Sequence, residues 1–236
     1  MRKRLITITL MLTSLALVAG TASAELLAGV QAGYGSTNYG KILGLNGLKG
    51  TEWLANIWVD YQHEDLLFNG SYQGALGLRD TDIGRHLAQV GANYRFFEDG
   101  PLQVYGGLGY HLISTRFEVP GYVDGDKFTL TGHGFSGQAV VDIEISPEFR
   151  TSATLALTPW VNWSFSHKGV TDSNIDSHSS FTAKLDLFYD FSEEFGLHLG
   201  ISGGNYKVPE FSTKDGKQGE TQATYSAINL GITRSF

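Results

Sequence analysis

The sequence predicts an all-β chain that crosses a membrane as a ten-stranded antiparallel barrel, and three observations carry that prediction. Apolar and polar residues alternate with period two in about ten separate segments. After Ala24 no apolar stretch approaches the roughly 20 residues a spanning helix needs, so any span must be β. The connections between segments are alternately short and long, as when tight turns gather at one end of a barrel and larger loops at the other. Eight or twelve strands are the neighbouring solutions.

The N-terminus reads as an export signal. Arg2, Lys3 and Arg4 precede an apolar run from Leu5 to Val18, and Ala22-Ser23-Ala24 supplies small residues at a cleavage site. The expected division is a signal peptide over residues 1–24 and one barrel domain over 25–236. Without the signal, three of the 17 Lys and Arg are lost, leaving 14 against 24 Asp and Glu, a net charge of −10. That balance argues against nucleic acid as a partner. With no Cys, disulfides and thiolate metal sites are excluded.

The alternation runs as follows. Leu26, Ala28, Val30, Ala32 and Tyr34 share one face of the first segment. In the second, Trp53, Ala55, Ile57, Val59 and Tyr61 oppose Asn56, Trp58, Asp60 and Gln62. The third, about Leu66 to Leu76, is Gly-rich and less regular. Next, Ala88, Val90, Ala92, Tyr94 and Phe96 oppose Gln89, Asn93 and Arg95, and Leu108, Tyr110 and Leu112 oppose Tyr105 and His111. The sixth sets Phe135, Ala139, Val141 and Ile143 against Gln138, Asp142 and Glu144. The seventh sets Phe149, Ala153, Leu155, Leu157 and Val161 against Arg150, Ser152, Thr154 and Thr158. Phe181, Leu185, Leu187 and Tyr189 then oppose Lys184, Asp186 and Asp190, while Leu197, Leu199 and Ile201 oppose His198 and Ser202. The last segment sets Ile228, Leu230, Ile232 and Phe236 against Tyr225, Asn229 and Thr233.

Short links are expected at 63–65, 98–101, 146–148 and 192–194, and long ones near 35–51, 77–86, 114–127, 168–179 and 207–220. A soluble barrel or sandwich would alternate too. Against it, strands end in aromatics such as Tyr61, Tyr94 and Phe195, as an interfacial girdle requires. The chain stops on a strand, and the face opposite the large apolar one is polar and charged.

The terminal segment from Tyr225 through Ile228, Leu230 and Ile232 to Phe236 resembles the C-terminal signal of Gram-negative outer-membrane β-barrel proteins. The resemblance implies an outer-membrane location. It also implies two partners, the barrel-assembly machinery that reads this segment and the surrounding lipid and lipopolysaccharide. Arg234 departs from the pattern by falling on the lipid face, where it is expected to snorkel to headgroups.

Two constellations are candidates for function. The inward charges Asp60, Asp142, Glu144, Asp186 and Asp190 accompany Arg95, Arg150 and Lys184. They read either as a cation-biased conduit or as an internal ion-pair plug, with Trp58, Tyr105 and Phe188 filling a narrow interior. Glu144 and Arg150, flanking a short turn, are placed to pair across strands.

The second constellation lies at the rim, where Asp80-Thr81-Asp82 and Asp176-Ser177-His178 follow the third and seventh segments. This arrangement resembles the omptin family of outer-membrane proteases. The resemblance implies Asp80 and Asp82 as a water-positioning pair, His178 as base and Asp176 as its orienter. No metal or cofactor motif appears, and His63, His86, His133 and His167 show no ligand spacing. The expected function is non-enzymatic, a structural or adhesive barrel or a small-solute, porin-like one with an unspecified extracellular ligand. An omptin-like endopeptidase is the alternative.

Overall fold

The computed structural model describes residues 24–42, 45–78, 82–118, 127–167, 170–208, 210–213 and 216–236. All of the expected signal peptide except Ala24 lies outside the described residues. Ten strands form a closed antiparallel barrel: β1 (Ala24–Ile42), β2 (Leu45–His63), β3 (Leu66–Leu78), β4 (Asp82–Asp99), β5 (Leu102–Glu118), β6 (Lys127–Ser146), β7 (Phe149–His167), β8 (Val170–Asp190), β9 (Phe195–Val208) and β12 (Thr221–Ser235). Between β9 and β12 a small hairpin of β10 (Phe211–Thr213) and β11 (Gly216–Gln218) stands apart from the ring. Each barrel strand pairs with its neighbours in sequence, and β12 closes the ring on β1.

The four short turns fall where alternation breaks, at 64–65, 100–101, 147–148 and 191–194. Glu64 takes φ 54° in its two-residue turn and Gly100 takes φ 56°. A left-handed residue lets so tight a hairpin follow the strand twist.

At the opposite end the structure corrects the expected loops. Strands continue through most of 35–51, 77–86 and 168–179, and the β1–β2 ladder runs up to Ile42↔Leu45. The reason is that ladder hydrogen bonds are made by the backbone, so Ser36, Thr37 and Asn38 pair as well as any apolar residue. What ends near Tyr34 is the apolar exterior, not the strand. One outward row runs Trp53–Tyr34–Ile228–Ile201 across four strands. Beyond it the exterior turns to Ser36, Asn38, Ser226, Thr224 and Asn205. Tyr34 and Trp53 meet edge to face at 5.8 Å, at the level where an interfacial girdle belongs. Crossing the hydrocarbon takes about 10 residues of a tilted strand. β8 has 21, so the barrel wall stands about 20–25 Å above the membrane.

The face assignments hold on most strands. Leu108 and Phe135 are 71% and 75% exposed, while Trp58, Tyr105 and Phe188 are buried inside. β7 requires a correction. Leu155 and Leu157 face outward as expected, but Val161, Trp163 and Phe165, of the same odd parity, are buried in the lumen. Register shifts lie between Thr158 and Val161 and again up to Phe165. Pro159 has no N–H to give the ladder, so the strand bulges there and its phase inverts. Trp160 is thereby turned outward, 70% exposed.

Arg234 is exposed near the end of β12. Its guanidinium lies over the rings of Phe236 (4.6 Å) and Phe195 (5.4 Å) and 3.4 Å from Glu194 in the turn.

Candidate functional site in the barrel lumen

Inward side chains cross the lumen in three decks. Lowest, near the short turns, the Trp58 ring of β2 meets Phe188 of β8 at 5.6 Å, and His198 of β9 stacks on Phe188 at 4.3 Å. Gly29 makes room for the indole, since a Cβ there would lie 2.6 Å from the Trp58 ring. Arg150 covers Phe188 from 4.3 Å.

A one-way hydrogen-bond chain wraps this deck. Asn56 Nδ2 donates to Gln31 Oε1, and Gln31 Nε2 donates to His198 Nδ1 at 2.9 Å. His198 Nε2 then donates to Asp186 Oδ1 at 2.6 Å, and Lys184 holds the other carboxylate oxygen at 3.0 Å. An Nδ1 that accepts and an Nε2 that donates define the neutral Nε2–H tautomer.

The middle deck is a buried ion pair that sequence reading missed. Arg85 of β4 bonds Glu52 of β2, with side chains 0% and 2% exposed. Thr37 donates to Glu52 at 2.7 Å, and the guanidinium lies 4.4 Å from the Tyr225 ring on the far wall. Both charges sit at polar positions of alternating segments, and only their level in the barrel, unreadable without the register, marks them as partners.

The top deck is apolar. Tyr39, Ile113, Phe117, Phe128, Trp163 and Tyr206, from five strands, belong to one buried cluster. Tyr39 on β1 donates to Thr115 Oγ1 on β5 at 2.9 Å and meets Tyr206 at 2.6 Å. β1 and β5 stand four places apart in a ring of ten, so this bond spans the lumen.

Between the lower and middle decks lies a cavity of about 120 Å³, lined by Asp60, Asp142, Lys184 and Asp186 among other polar residues. Of the expected lumen charges, these four meet there. Arg95 instead pairs with Asp65 (2.7 Å) and Glu98 (3.4 Å) at the turn end. Glu144 stands opposite Arg150 in the register, but Arg150 turns to Phe188, and the two form no ion pair among the described residues. A flat ring inside the lumen competes with an exposed carboxylate already served by water. Asp190 lies at the end of β8 opposite Gly196.

At the rim, Asp80 lies outside the described residues, and Asp82 and Asp176 are placed by backbone alone, in β4 and β8. His178, also in β8, has its Nε2 3.3 Å from Glu220.

This closed ten-stranded ring with an apolar girdle is the outer-membrane β-barrel fold. Among solved structures the chain is similar to the outer membrane protease OmpT from Escherichia coli, with TM-score 0.61 and 9% identity over 92% of this chain and 99% of that one. It also matches the translocator domain of the autotransporter NalP from Neisseria meningitidis (TM-score 0.49, 11% identity, 100% and 96% covered). A third match is Neisserial surface protein A (TM-score 0.40, 16% identity, 89% and 97% covered). No protein-family model and no curated protein matches the sequence. At such identities the likeness to OmpT establishes the fold alone.

Proposed function

We propose that the chain is a sealed, non-conducting barrel of the outer membrane, a rigid scaffold that carries its extended wall and rim to the cell exterior for recognition or adhesion. The observation that carries this reading is the Tyr39–Thr115 bond across the lumen, embedded in the apolar top deck. Ions would have to desolvate among aromatic rings to pass, and a packed apolar constriction is a barrier even where water stands on both sides. Planar-bilayer recording tests it. The refolded protein should be electrically silent, and Tyr39→Ala combined with Trp163→Ala should produce discrete steps. Steps of comparable size from the unaltered protein would refute the seal.

A second reading is favoured by the placement of the rim motifs. Asp82 opens β4, Asp176 and His178 lie in β8, and these strands stand four places apart in the ring. OmpT, which shares the fold, is a protease. In this reading His178 is the base for peptide hydrolysis, and Glu220, 3.3 Å from its Nε2, orients its ring. Cleavage of a peptide library by the refolded protein, lost in His178→Ala with the barrel intact, would support it. No cleavage by the unaltered protein would end it.

A further inference from the structure

The outer wall carries a repeated side-chain pair just beyond the apolar belt. Tyr72 on β3 donates its hydroxyl to His86 Nδ1 on β4 at 2.7 Å, with the two rings stacked. Tyr110 on β5 and His133 on β6 repeat the bond at 2.7 Å, with ring centroids 5.9 Å apart. In both pairs the histidine lies one outward position beyond the residue opposite the tyrosine, Ala88 in one and Phe135 in the other. A phenol that donates to Nδ1 leaves the imidazole proton on Nε2. Among the described residues neither Nε2 has a partner.

Along each strand the histidine is the first polar outward side chain above the apolar run, after Val90 and Ala88 on β4 and after Ala139 and Phe135 on β6. Between the two strands β5 sets Ser114 opposite both His86 and Thr131, its Oγ 3.3 Å from the Thr131 hydroxyl. Ser114 is also diagonal to His133, and long side chains reach across both separations. One row further out Gly84 stands opposite the exposed Arg116. A Cβ at Gly84 would meet nothing within 4 Å, so the space over this row is open. Asp82 and Glu118 come only in the row beyond.

Height and donor type name the occupant. Two imidazole N–H donors, two hydroxyls and a guanidinium are gathered on one patch, and these two rows hold no carboxylate from β4 to β6. Such a set matches the oxygens of a phosphate. Acyl chains end at the belt just below, so the phosphate standing at this level is that of a lipid headgroup.

We propose that His86, His133 and Ser114 bind the phosphate of an anionic lipid in the surrounding leaflet, the two imidazoles being held by Tyr72 and Tyr110. The site lies outside the barrel and is independent of whether the lumen is sealed.

Spin-labelled lipid in phosphatidylcholine vesicles carrying the folded protein tests this. Labelled phosphatidic acid is compared with labelled phosphatidylcholine for the fraction whose motion the protein restricts. Phosphatidic acid should be favoured, and His86→Gln with His133→Gln should lower that preference by roughly fivefold. Ser114→Glu keeps both histidines and sets a carboxylate where the phosphate would sit. It should abolish the preference, and it decides the matter if the double variant does not fold. Equal restriction of the two lipids, or a preference unchanged in the variants that fold, would overturn the site and leave the barrel and its seal untouched. Loss of the preference in millimolar inorganic phosphate would overturn the lipid as occupant in favour of the free ion.

Discussion

Replacing Glu52 by Gln would strand the Arg85 guanidinium inside the barrel. Three neutral neighbours would remain, the oxygen of the new amide, Gln73 Oε1 at 3.4 Å and the Tyr225 ring at 4.4 Å. With the pair's side chains 0% and 2% exposed, water cannot take the place of the lost carboxylate. Removing one member of a buried pair costs roughly 3–5 kcal/mol. The Tyr225 face retains part of its attraction for the cation, worth up to about 2 kcal/mol when desolvated. The expected loss is therefore near the lower limit, about 3 kcal/mol, or roughly a hundredfold in the folding equilibrium. Urea unfolding in lipid vesicles, followed by tryptophan fluorescence and heat-modifiable gel mobility, measures it. Glu52→Leu with Arg85→Met should return to within about 1 kcal/mol of the parent, because removing both charges also removes their desolvation. A Glu52→Gln variant within about 0.5 kcal/mol of the parent would refute the exclusion of water from the pair.

Three further outcomes are expected. Leu230→Arg, in the middle of the apolar belt, should cost about 2–4 kcal/mol and Ser226→Arg, beyond its edge, about 0–1 by the same unfolding assay. Gly132→Ala should push on Trp163, whose ring would lie 2.6 Å from the new Cβ, and lose about 1–3 kcal/mol with a changed near-ultraviolet dichroism. On the expectation that the last strand is an assembly signal, Phe236→Ala should lower the folded fraction in cells. Refolding in detergent should be nearly unchanged.

Strand number, face and turn positions were legible because each depends on residues near in sequence. The period-two pattern placed Asp60, Asp142, Lys184 and Asp186 inside without any knowledge of neighbours. Strand length was not legible, because a polar outer wall such as Ser36 to Asn38 pairs through its backbone and leaves no apolar mark. The inversion in β7 was signalled by Pro159, yet the sequence could not say whether the strand would end there or bulge past it. Arg85 and Glu52 were invisible as a pair, since their meeting depends on the stagger of β2, β3 and β4, which the turns and register set together. The Tyr39–Thr115 contact joins residues 76 positions apart on strands that are not neighbours, so no local pattern announces it.

Spin labels placed one at a time at positions 224 to 232 of β12, in protein reconstituted into bilayers, test the central claim of a membrane-spanning barrel with a closed interior. Collision with dissolved oxygen should peak at 228, 230 and 232, whose side chains face outward within the belt. It should fall at 227, 229 and 231, and at 224 and 226 contact with a water-soluble relaxer should take over. Equal access of the water-soluble relaxer to odd and even positions between 227 and 232 would contradict the account.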